Sequence, residues 1–261
     1  MTIQEYAQTI AQSIEGATVN TMEKANGVIL TAVTFPTDNA SVKGNFYVDE
    51  YYKDGADIED VIERVRSLQR KQTPAFDLDF INHFEQVRPK LRARLYNMAT
   101  RADVFRSAEE YGFDDLIIVP YVEDVCEDGA VKVTNDLVKL WGVSPAEVLQ
   151  IAEENSRNDA KISSMAEVLR SMGYPVPPMD EDPMLIVTNN KMRNGAYALI
   201  AKLDELKARF KNGFTVLPSS VHEVIIVDAK DERAMSAMVQ EVNDTVVNLD
   251  EQLSNRAYTV A

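Results

Sequence analysis

The sequence predicts a mixed α+β fold, in which antiparallel or mixed sheets pack against helices in one or two subdomains. Apolar residues recur with helical spacing in some segments and with the two-residue spacing of strands in others. The two kinds of segment are interleaved along the 261 residues. Capping boxes mark several helix starts, and short runs rich in Val, Ile and Thr mark strands. This alternation of periods favours the α+β or mixed α/β class.

Residues 1–74 are predicted to form a helix, a small antiparallel sheet and a second helix. Thr2 and Glu5 have the spacing of a capping box, and Gly16 ends the apolar pattern that follows. Ala25-Asn26-Gly27 is a tight-turn signal between two runs of strand character. The remaining expected elements are strands within 18–35 and over 43–52, and a helix that begins at Asp57, buries Ile58, Val61, Ile62, Val65 and Leu68, and ends before Thr73-Pro74.

Residues 75–178 are predicted to form a central α/β part. The apolar run 116–122 has strand length, and Glu127-Asp128-Gly129 supplies a turn into a second strand, so we expect a hairpin near the centre of a sheet. Trp141 is expected to anchor its helix in the core. The other expected elements are a short helical piece over 78–84, a strand over 90–96, and helices that begin after Thr134, Ser144 and Ser164, the last of them ending at Gly173.

Residues 184–261 are predicted to form a C-terminal α/β part. An acidic, proline-rich segment over 175–183 precedes it and is the best candidate for a linker. A loop that crosses one compact domain would have the same composition, so both organisations stay open. The expected elements are strands over 184–187, 214–217, 223–227 and 256–260, a helix over 196–210 with Leu199, Leu203, Leu206 and Phe210 on its buried face, and a helix over 231–242 that buries Met235, Met238 and Val242.

Composition narrows the function classes. The 42 acidic and 27 basic side chains give a formal net charge of −15, which opposes direct binding to DNA or to an anionic membrane. The single cysteine, Cys126, cannot form an intramolecular disulfide, and we expect a buried structural thiol. No signal peptide and no run of eighteen apolar residues is visible. These features predict a cytoplasmic protein that is neither secreted nor embedded in a membrane.

The block Leu217-Pro218-Ser219-Ser220-Val221-His222-Glu223-Val224 combines polar side chains with the start of an apolar strand. Ser219 or Ser220, His222 and Glu223 are the residue types of a serine hydrolase site. In an extended segment, however, His222 and Glu223 point in opposite directions, and no Gly-x-Ser-x-Gly turn is present. The alternative is a hydrogen-bonded strand entrance. The sequence leaves both interpretations open.

This block also carries a resemblance. It follows Asp136-Leu137-Val138-Lys139-Leu140-Trp141-Gly142 with Ala152-Glu153-Glu154-Asn155, and Val187-Thr188-Asn189 with Asn194-Gly195-Ala196. In this order the blocks resemble a family of uncharacterised bacterial proteins, a domain of unknown function, over roughly residues 75–258. The resemblance implies a bacterial protein with an established fold, and it brings no catalytic residue. Asn155, Asn189 and Asn194 are expected to be caps and turn residues.

Cofactor and metal motifs are missing from the sequence. There is no Walker loop, no Gly-x-Gly-x-x-Gly, no His-Glu-x-x-His and no Cys-x-x-Cys. His83 and Glu85 have the spacing of two metal ligands on a strand, but their segment is helical in character. We therefore expect no cofactor and no metal.

Charge is unevenly distributed along the chain. Residues 107–131 contain eight carboxylates and no cation, whereas 88–106 is basic. Strand alternation places Lys90, Arg92 and Arg94 on one face. This face is either a binding surface for phosphate or an acidic partner, or a set of ion pairs to the neighbouring acidic strand.

Taken together, these observations predict a non-enzymatic cytoplasmic binding or regulatory protein whose partner is another protein. One alternative is an acidic inhibitor that imitates nucleic acid, as counter-defence proteins of phages and mobile elements do. Another is a hydrolase centred on Ser219, Ser220 and His222. The oligomeric state does not follow from the sequence.

Overall fold

A computed structural model describes residues 1–38, 42–70, 79–126, 129–176, 184–228 and 231–261. The described residues contain ten α-helices and three antiparallel sheets, which confirms the mixed α+β class. The chain divides into two compact units, Met1–Asp77 and Leu78–Ala261. The central and C-terminal parts distinguished in the sequence thus lie in the same unit. No helix in the described ranges is both long and apolar enough to cross a membrane.

The first unit packs a three-stranded antiparallel sheet, in the order β1-β2-β3, against helices. Its first helix begins with the predicted capping box, in which Thr2 Oγ1 accepts from the Glu5 amide and Glu5 accepts from the Thr2 amide. Tyr6, Ile10, Val33 and Val65 lie in its buried core. The elements are α1 (Ile3–Gln12), β1 (Thr18–Glu23), β2 (Ile29–Pro36), β3 (Lys43–Tyr47), α2 (Asp49–Lys53) and α3 (Ile58–Arg70).

The expected strand over 43–52 is corrected by the structure, because β3 ends at Tyr47 and α2 follows. Asp49 Oδ2 accepts a hydrogen bond from the Thr31 amide at 2.8 Å and so takes the chain out of the sheet. Tyr51 then packs on Phe46, with ring centroids 5.0 Å apart. Leu68, expected on the buried face of α3, is exposed. The expected helix end before Thr73-Pro74 lies outside the described residues.

The second unit contains the other two sheets. Strand β6 pairs with β4, β5 and β7 and forms the centre of the four-stranded sheet, as its apolar run predicts. The five-stranded sheet has the order β12-β10-β11-β9-β8. The elements are α4 (Phe84–Val87), β4 (Leu91–Asn97), β5 (Arg106–Ser107), β6 (Leu116–Val122), β7 (Val131–Lys132), α5 (Asn135–Trp141), α6 (Pro145–Asp159), β8 (Ala160–Ser164), α7 (Met165–Ser171), β9 (Met184–Asn189), α8 (Ala198–Ala201), α9 (Leu203–Arg209), β10 (Phe214–Leu217), β11 (Val224–Val227), α10 (Glu232–Thr245) and β12 (Tyr258–Val260).

Two helices and one strand of this unit differ from expectation. The single helix expected over 196–210 breaks at Lys202 into α8 and α9, because Ala198, Leu199 and Ile200 are all buried and no single face accommodates them. Met238 is 47% exposed, since α10 buries Val239 and Asn243 instead. Strand β8 was not predicted from the sequence, because its residues, AKISS, contain no apolar run and it lies at a sheet edge.

The core of the first unit supplies a stability test. Replacing Ile10, which is 0% exposed, with Ala is expected to lower the free energy of unfolding by about 2–5 kcal/mol, because the change leaves a cavity. The matched variant Ile29→Ala alters a side chain on β2 that is 66% exposed. It should change the free energy of unfolding by no more than about 0.5 kcal/mol. Urea unfolding followed by circular dichroism measures both. Equal losses would contradict this packing.

Candidate functional site

A polar cavity of about 150 Å³ lies in the second unit. It is bounded by β4, by the residues that follow β6, by α6, and by the loop 189–195 that connects β9 to the buried segment before α8. Four cationic side chains line it: Arg92, Arg94, Lys191 and Arg193. Three carboxylates accompany them: Glu123, Asp124 and Asp159. In a chain of net charge −15, this is a local excess of cations.

Arg94 is the most rigidly held of the four cations. Its Nε and Nη2 lie 2.8 and 2.7 Å from Glu123 Oε1, and its guanidinium stacks 4.1 Å from the centre of the Tyr121 ring. Only 12% of the side chain is exposed. Burial works to lower the pKa of Arg94, but Tyr96 and Glu123 outweigh it and raise the pKa above its ordinary value. Arg94 is therefore a permanently charged, oriented group at the cavity.

Arg92 lies beside Arg94, as strand alternation predicts. Its Nε donates to Asp159 Oδ2 at 2.5 Å, and its Nη1 donates to the carbonyls of Pro89 and Leu91. These bonds leave Nη2 without a protein acceptor within the described ranges. Lys90, the third member of the predicted face, does not line the cavity but donates to the Asp124 carbonyl at 2.9 Å. The basic face thus combines ion pairing with access to a cavity.

The loop 189–195 forms the opposite wall. The Asn189 side chain is hydrogen-bonded across this loop. Its Oδ1 accepts from the amides of Lys191 and Arg193, and its Nδ2 donates to the Arg193 carbonyl. Met192 and Asn194 have φ angles of 51° and 50°, in the left-handed region. At Gly195 a Cβ would lie 2.4 Å from Thr188 Oγ1 and 2.8 Å from the His222 carbonyl oxygen, so only glycine fits. The asparagines are turn residues, as expected.

His222 contacts this loop but does not line the cavity. Its Nδ1 accepts from the Asn194 amide at 3.0 Å, and its Nε2 lies 3.3 Å from Glu251 Oε1. Its carbonyl oxygen accepts from the Gly195 amide at 2.9 Å and from Thr188 Oγ1 at 2.7 Å. Its side chain is 28% exposed. His222 is therefore a brace between the loop and the following strand.

The serines of the same block also have structural contacts. Ser220 Oγ accepts from the His222 amide at 3.0 Å, and the Ser219 carbonyl accepts from the Leu253 amide at 3.2 Å. No hydrogen bond joins the His222 ring to either serine hydroxyl within the described ranges. Glu223 is half-buried, and burial raises its pKa, with an opposing effect of His222 and a reinforcing one of Glu251. The block forms a hydrogen-bonded corner in which Nδ1 of the ring accepts a hydrogen bond and Nε2 lies near Glu251.

The sequence did not predict a partly buried cluster of polar side chains next to Tyr197, which lines the cavity. Glu153 on α6 accepts from Arg106 Nη2 at 2.7 Å, and Arg106 also donates to the Tyr111 hydroxyl at 2.9 Å. Burial raises the pKa of Glu153, and Arg106 opposes this. Tyr197, which lines the cavity, has its hydroxyl buried beside Glu153 without a hydrogen bond of ordinary geometry, and burial raises its pKa. No sequence spacing links residues so far apart.

The remaining sequence candidates are placed as follows. His83 and Glu85 are exposed at the start of α4, and the described residues hold no group of three or more His, Cys, Asp or Glu arranged for a metal. Cys126 is free and only partly buried. Trp141 is buried, and its Nε1 donates to the Ile81 carbonyl at 2.6 Å, so it anchors α5 as expected. Asn155 donates to the carbonyls of Arg88 and Leu91.

Comparison with known proteins extends the resemblance found in the sequence. The model of a family of unknown function, DUF5688, matches residues 2–260. The match thus extends beyond the resemblance over roughly residues 75–258 and includes the first seventy residues. No curated protein and no solved structure matches the chain.

The raised pKa of Glu223 predicts a pH-dependent stability. Because the folded pKa lies above its unfolded value, the ionised carboxylate destabilises the fold at neutral pH, and this cost disappears as the pH falls through the carboxyl range. Glu223→Gln should raise the free energy of unfolding at pH 7 by up to about 1 kcal/mol. The gain should vanish near pH 4, measured by urea unfolding; the exposed Glu241→Gln is the matched control. A gain that is the same at both pH values would contradict this origin.

Proposed function

The chain belongs to DUF5688, a family of unknown function, and from the geometry of its cavity we propose that it is a non-enzymatic binding protein whose partner is another protein. The cavity of the second unit is the point of contact. There, Arg92 and Arg94 receive an acidic side chain of the partner. The proposal includes a bacterial source, which the resemblance implies, and a cytoplasmic location, which a single cysteine supports.

The observation that carries this proposal is the preorganised, donor-rich lining of the cavity. Arg94 is held by Glu123 and Tyr121, so little side-chain entropy is lost when it binds an anion. Arg92 retains Nη2, and a guanidinium has five N–H donors, so one carboxylate partner does not exhaust it. Asn190 and Asn194 also line the cavity. An acceptor group of a partner therefore meets oriented donors.

The size of the cavity favours a single side chain as its occupant. Sites for drug-sized ligands are typically about 300–1,000 Å³, whereas this cavity is about 150 Å³. Small, well-formed pockets that receive one anchor residue are typical of the energetic centres of protein interfaces. The three carboxylates of the lining also disfavour a multiply charged phosphate, because they would repel it. An aspartate or glutamate carries one charge and fits this balance better.

Fewer observations support the two alternatives, an acidic inhibitor that imitates nucleic acid and a hydrolase. A nucleic-acid mimic needs carboxylates that are free to imitate phosphates, but ion pairs engage Glu110, Asp114, Glu123 and Asp124 of the acidic stretch. A hydrolase at His222 needs a ring nitrogen that accepts the serine proton. Here Nδ1 accepts from a backbone amide and Nε2 faces Glu251. Neither alternative has an observation in its favour that matches the cavity.

Site-specific photo-crosslinking tests the proposal. A photoreactive amino acid at Asn190, which lines the cavity, should capture a protein partner in native lysate, and the crosslinked peptide should contain Asp or Glu near the contact. The same probe at Gln12, an exposed position of α1 in the first unit, is the control for position. Arg94→Gln and Arg92→Gln should each reduce capture about tenfold or more, since each removes a charged anchor contact.

Lys139→Gln is the matched control for charge, because Lys139 is exposed on α5 and is not among the residues that line the cavity. It should leave capture unchanged. Trp141 fluorescence verifies that each variant is folded. Unchanged capture by both arginine variants, or a contact peptide without acidic residues, would overturn the proposal.

A further inference from the structure

We propose that His222 is a pH-sensitive latch that holds Asn194 of the cavity loop 189–195 in place and releases it on protonation. This inference rests on the proposed function, because it concerns regulation of the same cavity. The latch itself is defined by contacts that do not involve a partner.

The bond between Asn194 and the imidazole defines the latched state. The Asn194 amide donates to His222 Nδ1 at 3.0 Å. An amide can donate only to an unprotonated ring nitrogen, so the neutral ring carries its proton on Nε2. That nitrogen lies 3.3 Å from Glu251 Oε1. The latched loop therefore requires a neutral His222 of one tautomer.

Protonation makes this bond impossible. A proton on Nδ1 would point at the Asn194 N–H, and two donors would face each other. The ring is 28% exposed, so protons reach it from solvent. Imidazole side chains take up a proton in the range of roughly pH 5 to 8. Measurements across this pH range therefore test the latch.

Two carboxylates lie near the ring. Glu251 approaches from the segment after α10, and Glu223 adjoins it at the start of β11. The loop contributes the cations Lys191 and Arg193, and Lys191 is paired with Asp124. An imidazolium would be attracted to the Glu251 carboxylate, which lies 3.3 Å from Nε2. This attraction acts on the ring nitrogen that does not face Asn194.

Release of Asn194 affects the cavity because of where the loop is held. At its end, Gly195 stays bonded through its amide to the His222 carbonyl, which does not titrate. Asn194 has a left-handed φ angle of 50°, which non-glycine residues adopt rarely. Without the bond to the ring, Asn194 can leave that region, whereas the bonds from the Lys191 and Arg193 amides to Asn189 Oδ1 do not titrate and stay in place. Asn194 lines the same cavity as Arg92 and Arg94, so its displacement would alter the cavity wall and weaken binding.

Amide hydrogen exchange of the full chain tests the latch directly. The protection factor of the Asn194 amide, corrected for the intrinsic pH dependence of exchange, should fall roughly tenfold or more between about pH 7.5 and pH 5.5. The Gly195 amide, whose acceptor is the His222 carbonyl, should keep its protection at both pH values. It is the internal control for general unfolding.

Two variants separate the roles of the ring nitrogens. In His222→Asn the amide oxygen occupies the position of Nδ1 and cannot titrate, so Asn194 should stay protected at both pH values. In His222→Gln the polar group lies near the position of Nε2, so Asn194 should be unprotected at both. Wild-type protection that does not change with pH, or a fall in His222→Asn equal to that in the wild type, would overturn the proposal.

These measurements use no partner, so their failure would leave the proposed function standing. Crosslinking at Asn190 at the two pH values then connects the latch to binding. Capture should fall about tenfold at the lower pH in the wild type and stay constant in His222→Asn. Equal capture at both pH values, with the Asn194 amide released, would show that the latch does not regulate the cavity.

Discussion

The second unit depends on hydrogen bonds that converge on one residue, His222. Its carbonyl oxygen accepts from Gly195 and Thr188, its ring accepts from Asn194, and its own amide donates to Ser220. A buried carbonyl or amide without a partner costs free energy, so this arrangement satisfies several groups at once. It also brings the loop after β9 against the strand entrance before β11. The cavity wall exists because this corner is closed.

Charge in this molecule is organised locally, although its overall sign is strongly negative. Carboxylates near the cavity lie against arginines and lysines, as in the pairs of Arg94 with Glu123 and of Arg92 with Asp159. The pairs orient the cations without neutralising all of their donors. Overall net charge therefore describes long-range behaviour, whereas a few oriented cations set the local potential of the cavity.

Elements with a strong local signal were predicted from the sequence. The Thr2 and Ser164 capping boxes, the Thr134 cap and the apolar run of β6 all lie where they were expected. Errors occurred where tertiary packing overrides the local pattern. The helix over 196–210 breaks because its first turn is buried on all sides, and β8 has no apolar run because it pairs on one side only. The strand over 43–52 stops where Asp49 bonds to a neighbouring strand.

The sequence by itself determined the fold class, the family resemblance and the residue types near the cavity, because caps, periods and alternation act over a few residues. It placed Arg92 and Arg94 on one strand face for the same reason. Only the tertiary structure decided that these arginines meet Lys191, Arg193 and Tyr197 around one cavity, and that His222 braces its wall. These groups come from segments more than a hundred residues apart, and their meeting depends on how the sheets and α6 pack. Local sequence rules contain no information on that packing.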